Sequence, residues 1–267
     1  MPDAEANLIP EQRREKLVML LHRDVVLSVT QLTELLGVSH MTVRRDIAAL
    51  ERDGRVNSLP GGVRLPGVVR SEPAFAAKSA SEREAKAAIA GIAETLLRDD
   101  MIVYLDAGTT TGALVPAIRA RTGMTVITND FVIVEQLTSA SHVETIHTGG
   151  RLEHANRSAV GRLAAETLRK INTDIAFISA SSWDIKRGVT TPSEAKVDVK
   201  LAALEAASQA VLTVTSSKFG TFGMYDVVDL RRFDRIITDR GLPQDAAERI
   251  RASGIALDLA SAAGAGE

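Results

Sequence analysis

Met101-Ile102-Val103-Tyr104-Leu105-Asp106-Ala107-Gly108-Thr109-Thr110-Thr111 sets the architecture of most of the chain. An apolar run ends in a carboxylate, a glycine permits a tight turn, and three hydroxyl residues lead into a helical pattern at Gly112–Ala120. This is one strand–turn–helix unit. Working outward from its strand, Ile102–Leu105, similar apolar runs recur at Thr125–Thr128, Val143–His147, Ile175–Ser179, Val211–Thr215, Arg235–Thr238 and Ile255–Leu259. Amphipathic stretches separate most of them, the clearest others being Glu82–Leu97, Val160–Lys170, Ala195–Ser208 and Gln244–Ser253. The alternation predicts a Rossmann-like α/β domain whose mostly parallel sheet is covered by helices. The last residues, 263–267, read as a frayed tail.

The loop that opens this reading has the chemistry of an anion site. Backbone N–H groups at a glycine turn and helix start favour phosphate, and threonine hydroxyls add donors. Asp106, at the strand end, stands where a ligand hydroxyl is held in such folds. The loop is neither a Walker A sequence nor a G-x-G-x-x-G fingerprint, and a capped turn without ligand has the same appearance. Polar groups also follow the other strands: Thr128-Asn129, Gly149-Gly150, Ser179-Ala180-Ser181-Ser182 and Ser216-Ser217-Lys218. In an open parallel sheet these ends share one edge, so the groups converge on a crevice where Lys218 supplies positive charge. Trp183 is the single tryptophan, suited to a core, an interface or a pocket wall.

Upstream of residue 63 the pattern changes. Three short helices fit residues 10–52. Leu17, Leu20 and Leu21 face inward from the first, and Leu32, Leu35 and Leu36 from the second, which Ser28 or Thr30 caps. Gly37 ends the second helix and Ser39 caps the third, which is helix-turn-helix spacing. Val43, Ile47 and Leu50 form the buried stripe of the third helix. Its opposite face carries Met41, Arg44 and Arg45, flanked by His40 and Thr42, and suits a major groove. Taken alone, Arg44-Arg45-Asp46 is equally a solvated helix face. Arg55 to Gly62 fits the hairpin wing of a winged helix. Pro66-Gly67 and Pro73 mark residues 63–78 as a linker and natural hinge.

Composition bounds the function. There are 267 residues, 32 basic against 34 acidic, a net charge of −2 and no cysteine. The length allows one large domain or two unequal ones. The absence of cysteine excludes a disulfide framework, a thiolate metal site and a cysteine nucleophile, and fits a reducing compartment. No H-x-x-x-H or H-E-x-x-H pair is present, so a zinc hydrolase is not expected; no metal or other cofactor is among the expectations. No apolar stretch approaches the roughly 18 residues of a membrane span, and the N-terminus carries no apolar signal region, so a cytoplasmic protein without membrane contact is expected. Near-neutrality makes any nucleic-acid contact local. Residues 40–64 carry Arg44, Arg45, Arg52, Arg55 and Arg64 against Asp46, Glu51 and Asp53. So small an excess predicts weak, salt-dependent binding by one copy and a need for a homo-oligomer, a dimer or tetramer.

The run Leu32-x-x-Leu35-Leu36-Gly37-Val38-Ser39-x-x-Thr42-Val43-Arg44-Arg45-Asp46-Ile47-x-x-Leu50-Glu51, with Gly61-Gly62 beyond it, resembles the N-terminal signature of the DeoR family of bacterial transcriptional regulators. The resemblance continues through Asp106-x-Gly108-Thr109-Thr110, Thr128-Asn129, Gly149-Gly150, Ser158-x-x-Gly161, Gly188-Val189-Thr190, Glu194 with Lys200, Ser217-Lys218-Phe219-Gly220 and Thr238-Asp239. It implies a winged helix-turn-helix at 1–62, a linker at 63–78 and a sugar-phosphate-type effector domain at 79–267, related in fold to ribose-5-phosphate isomerase. The implied partners are a double-stranded DNA operator, contacted by Thr30, Ser39, His40, Met41, Thr42, Arg44, Arg45 and Arg55, and a small-molecule effector. The implied effector residues are Asp106, Gly108, Thr109, Thr110, Thr128, Asn129 and Lys218, with Arg157 and Lys200. The convergent strand ends add Gly149, Gly150 and Ser181. The expected function is a ligand-controlled repressor of carbohydrate genes; the alternative is an active isomerase fused to a DNA-binding module. Only one carboxylate, Asp184, stands in the region that resembles the isomerase's acidic loop, which favours binding without turnover. Two departures from the family pattern are Ser58-Leu59-Pro60, where Arg and His often precede the Gly-Gly pair, and Thr215, where Asp is usual.

Overall fold

The computed structural model describes residues 8–24, 26–53, 55–59, 61–65 and 67–261. Pro60, Pro66 and the tail at 263–267 lie outside the described residues. The chain divides into two units, Met1–Gly67 and Val68–Glu267.

The first unit contains helices α1 (Pro10–Asp24), α2 (Val29–Leu36) and α3 (His40–Arg52) and strands β1 (Val26–Ser28), β2 (Asn57–Leu59) and β3 (Gly62–Arg64). Ser28 starts α2 with a reciprocal capping box: its hydroxyl accepts from Gln31 N–H, and the Gln31 side chain accepts from Ser28 N–H. Gly37 ends α2 at φ 67°, a left-handed conformation that glycine adopts without strain. Ser39 Oγ then accepts from Thr42 N–H and starts α3. Leu17, Leu21, Leu32, Val43, Ile47 and Leu50 form one core with Leu27, Val56 and Val63 from the strands. Leu35 does not join it. At 37% exposed it lies on the outer side of α2, one residue before the buried Leu36. The strands form an antiparallel sheet in the order β1-β3-β2, the wing.

The second unit opens with β4 (Val68–Val69), α4 (Phe75–Ala80) and α5 (Arg83–Glu94). Then follow β5 (Ile102–Leu105), α6 (Thr109–Gly112), α7 (Val115–Arg119), β6 (Thr125–Thr128), α8 (Phe131–Leu137), β7 (Glu144–His147), β8 (Arg151–Glu153), β9 (Ser158–Val160) and α9 (Arg162–Leu168). It continues with β10 (Thr173–Ile178), β11 (Ser182–Asp184), β12 (Gly188–Thr191), α10 (Ala195–Ala206) and β13 (Ala207–Thr213). The last elements are β14 (Phe222–Gly223), β15 (Tyr225–Val228), β16 (Arg235–Asp239), α11 (Gln244–Ala252) and β17 (Ala256–Ala260). Seven strands form one wholly parallel sheet in the order β17-β16-β13-β10-β5-β6-β7. Successive residues enter opposite layers. Val103, Leu105, Ile175, Phe177 and Val211 pack with α5, α7 and α8, while Tyr104, Ala176, Ile178, Ala210 and Leu212 pack with α9, α10 and α11. Burial on both faces explains why these strands read as unbroken apolar runs.

Two expectations need correction. The helix expected at Gly112–Ala120 is two short pieces, α6 and α7, with Pro116 inside the second. The stretch expected as a linker, 63–78, belongs to the two units. Val63 is core of the wing. Val68 and Val69 pair with Phe222 and Gly223, and Phe75 N–H donates to Ala155 O. A Pro/Gly-rich composition marks irregular backbone, but irregular backbone that finds hydrogen-bond partners is not free chain.

Candidate functional site

In the first unit, the outward face of α3 is accessible. Thr30, Ser39, His40, Met41, Arg44 and Arg45 are exposed and Thr42 is half-buried. Among the described residues Arg44 and Arg45 make no ion pair, whereas their neighbour Asp46 turns inward to meet Arg13 of α1. The three consecutive charged residues therefore separate by helical phase: the two arginines stay outside while the buried carboxylate fastens α3 to α1. Arg55 is partly exposed beside the wing. Its guanidinium binds both oxygens of the Glu15 carboxylate and is thereby engaged within the unit. Ser58 has a structural task. Its N–H donates to Glu51 at 2.8 Å and its hydroxyl bonds the same carboxylate, which ties the wing to α3.

In the second unit the chain runs outward through β5, β6 and β7, returns to β10 beside β5, and continues outward the other way through β13, β16 and β17. The topological switch lies between β5 and β10, where the loops after two neighbouring strands diverge and leave a crevice. A cavity of about 320 Å³ lies there. Of the expected effector residues, it brings together Asp106, Gly108, Thr109, Thr110, Asn129, Ser181, Lys200 and Lys218.

Asp106 is buried at the switch point. Its Oδ2 accepts from Ser179 N–H at 3.0 Å and Ser179 Oγ at 2.9 Å, and pairs with the Lys200 ammonium, which also donates to Ser179 O at 2.7 Å. The pair thus clamps the end of β5 to the end of β10. The Asn129 side chain receives Tyr104 Oη–H and Ala107 N–H and donates to Ala159 O. Gly108 N–H donates to Asp130. Two N–H groups of the loop that looked like a phosphate cradle are therefore held by side chains of the protein. Gly108 is required by close packing, since a Cβ there would stand 2.9 Å from the Ser179 Cβ. Burial raises the Asp130 carboxyl to about 6, although the N–H groups of Val132, Ile133 and Gly108 favour its charged form.

Four expected residues do not line this cavity. Thr128 is fully buried, donating to Leu105 O and accepting from Asp130 N–H. Gly149 and Gly150 follow β7, the outermost strand, and Gly150 packs against Ala164 of α9. Arg157 is exposed, its guanidinium 5.3 Å from the Phe75 ring centre. Asp184 is also directed elsewhere. Its carboxylate closes the turn between β11 and β12 through Lys186 and Arg187. Trp183 is core, edge-on to Phe219 at 4.9 Å.

The sequence reading missed the charge of this cavity. Lys78, Lys86 and Lys196 join Lys200 and Lys218 around it, against the carboxylates of Glu72, Glu82 and Asp106. Glu72 lies in the supposed linker and Lys78 at its end. Lys86 and Lys196 are buried on helices whose patterns gave no warning, except that a lysine falls on each apolar face. Glu72 accepts from Ser181 and Lys78 and pairs with Lys196 at 2.6 Å. Burial alone would raise its carboxyl, but Lys196 and Lys78 hold it well below the usual carboxylate range. Lys218 Nζ donates to Ala180 O at 2.7 Å. Burial, aided by Lys78 and Lys86, lowers its ammonium to about 8. Thr215, at a position where a carboxylate would face Glu82, instead donates its hydroxyl to Glu82 at 3.2 Å.

Comparison with known proteins places both units. The DeoR-like helix-turn-helix domain matches residues 13–67, and the DeoR C terminal sensor domain matches residues 81–240. An HTH-type transcriptional regulator of Haemophilus influenzae is 44% identical over 96% of this chain and 99% of its own. The transcriptional repressor AccR of Agrobacterium fabrum is 32% identical over 86% of this chain and 90% of its own. Among solved structures, the ribose 5-phosphate isomerase A of Methanocaldococcus jannaschii covers 50% of this chain and 53% of its own at 17% identity and a TM-score of 0.37, a likeness too slight to bear on function. The curated relatives are named as transcriptional regulators, and both family models match this chain across an exposed arginine-bearing α3 and a cavity-bearing α/β unit: the chain belongs to the DeoR family of DNA-binding transcriptional regulators.

Proposed function

We propose that the chain is a cytoplasmic repressor of carbohydrate-metabolism genes whose hold on its operator is governed by a phosphorylated sugar. The observation that carries the reading is the cavity at the switch point, where, among the described residues, five ammonium groups and three carboxylates line the space. An excess of positive charge in a half-enclosed space, which remains when Glu153 beside Lys196 is counted, suits a phosphate anion, and the hydroxyl and amide groups of Thr109, Thr110, Ser181 and Asn129 suit the hydroxyls of a sugar. The lysines carry this argument in place of the helix start, because α6 is only a single turn. On the DNA side, Arg44 and Arg45 read base edges and Thr30, Ser39, His40, Met41 and Thr42 adjoin the backbone or bases. One copy presents little positive charge, so a dimer or tetramer would supply the affinity. The ligand acts by binding two arrangements of the regulator unequally.

The test is a pair of variants. Arg44→Ala with Arg45→Ala is expected to abolish operator protection in footprinting while preserving the melting shift produced by a sugar phosphate. Lys218→Ala is expected to do the reverse. Operator protection by the double arginine variant, or an undiminished melting shift in Lys218→Ala, would refute the corresponding half.

A further inference from the structure

The cavity already holds an anion supplied by the chain. Glu72 lies on the segment 68–73, which begins directly after the last residue of the DNA-binding unit. Among the described residues, that segment is held by a strand ladder and by an ion-paired carboxylate. Val68 and Val69 pair with Phe222 and Gly223 in a ladder only two residues long, and the Glu72 carboxylate is gripped by Lys78, Lys196 and the Ser181 hydroxyl. Those three groups, two ammonium ions and a hydroxyl, are the set that a phosphate or carboxylate ligand recruits. Lys86 differs from them, because it donates to the backbone carbonyls of Lys78 and Ser81. The donor set best suited to an incoming anion is therefore occupied by a side chain of the segment that leads to the DNA-binding unit.

Building on the sugar-phosphate reading above, we propose that Glu72 is an internal stand-in for the anionic ligand, which displaces it from Lys78, Lys196 and Ser181 and so detaches residues 68–73 from the sensor unit. A buried carboxylate stripped of its cationic partners does not stay buried. Once Glu72 leaves for water, the two-residue ladder at Val68–Val69 is left to hold the segment alone, and so short a pairing is marginal. The tether before the sensor unit then grows by residues 68–73, about 20 Å when extended. The DNA-binding unit is then joined to the sensor unit by a longer and freer segment. The ligand's preference for the detached state comes from the lysines that Glu72 vacates, which is the unequal affinity any such switch requires.

Inorganic phosphate serves as the probe, titrated calorimetrically into the full chain and into Glu72→Gln, with amide hydrogen exchange followed over residues 68–73. Because the variant no longer needs its own carboxylate displaced, it is expected to bind phosphate about tenfold more tightly than the native chain. In the native chain, saturating phosphate should raise exchange at residues 69–72 to the level that Glu72→Gln shows unliganded. Unchanged or slowed exchange in phosphate-saturated native protein would overturn the proposal, since the anion would then bind beside Glu72. Equal or weaker binding by Glu72→Gln would overturn it as well, making Glu72 an organiser of the lysines. Phosphate binding to neither protein would overturn the anion reading of the cavity, and the switch with it. Should Glu72→Gln fail to fold, the exchange measurement on the native chain decides alone.

Discussion

Lys218 shows how a single position gains its function from its surroundings. Its ammonium is lowered to about 8 first by burial and then by repulsion from Lys78 and Lys86. An anionic ligand requires the charged form. Above about pH 7.5, where phosphate is already mostly the dianion, its affinity should therefore fall as pH rises through about 8, and calorimetry from about pH 7.5 to 9.5 would record the decline. Lys218→Arg keeps its charge across that range, so its profile should be flatter. For folding the sign is opposite: a depressed lysine favours the neutral form in the native state, so its stability penalty is present below pH 8 and is relieved as pH rises. Lys218 was legible in the sequence because it follows a strand and stands beside serines. Its neighbours Lys78, Lys86 and Lys196 were not, because a lysine on a helix is ordinarily a solvated side chain. Only the cavity reveals that these are turned inward.

Among the elements, the wing shows most directly how local sequence and tertiary contact divide the work. Gly61 sits at φ 78°, a conformation the tight turn between β2 and β3 requires, and any residue with a Cβ is strained there. Gly62 has a different reason. A Cβ at that position would stand 2.8 Å from Leu27 O, because β1 passes directly across β3. Gly62→Ala is expected to push β1 away from the wing and to lower the stability of the first unit by about 2 kcal/mol, within the usual range for overpacking. Chemical denaturation followed by circular dichroism would measure it. Loss smaller than about 0.5 kcal/mol would mean that β1 yields without cost. The Gly-Gly pair announced a turn in the sequence, whereas the need for the second glycine appears only once β1 is in place. The three-residue strands β8, β9 and β11 gave no period at all, being too short to alternate.

At the scale of the molecule, each unit has its own core, and the boundary at Gly67/Val68 leaves the sensor unit with its sheet, both helical layers and the segment that bears Glu72. A fragment starting at Val68 should therefore fold alone and bind phosphate with an affinity within about twofold of the full chain, since distant independent parts contribute additively. A fragment starting at residue 79, where composition placed the boundary, lacks Glu72 and Lys78 and should lose the β4–β14 pairing. Comparing the two by calorimetry and thermal melting checks the boundary, and equal behaviour would show that residues 68–78 have no part in the cavity. By itself the sequence determined the helix-turn-helix, with its caps and outward arginines, and the parallel βα order of the larger unit. These follow from period, capping and turn chemistry, which act over a few residues. Only the tertiary structure decided which polar groups meet. The switch between β5 and β10 brings Asp106 to Ser179 and Lys200, and folds Glu72 onto Lys196, across separations that no local pattern spans. Charges that are dispersed and nearly balanced along the chain become a cationic cavity because packing, unlike composition, selects which of them share a half-enclosed space where water screens them less than in bulk.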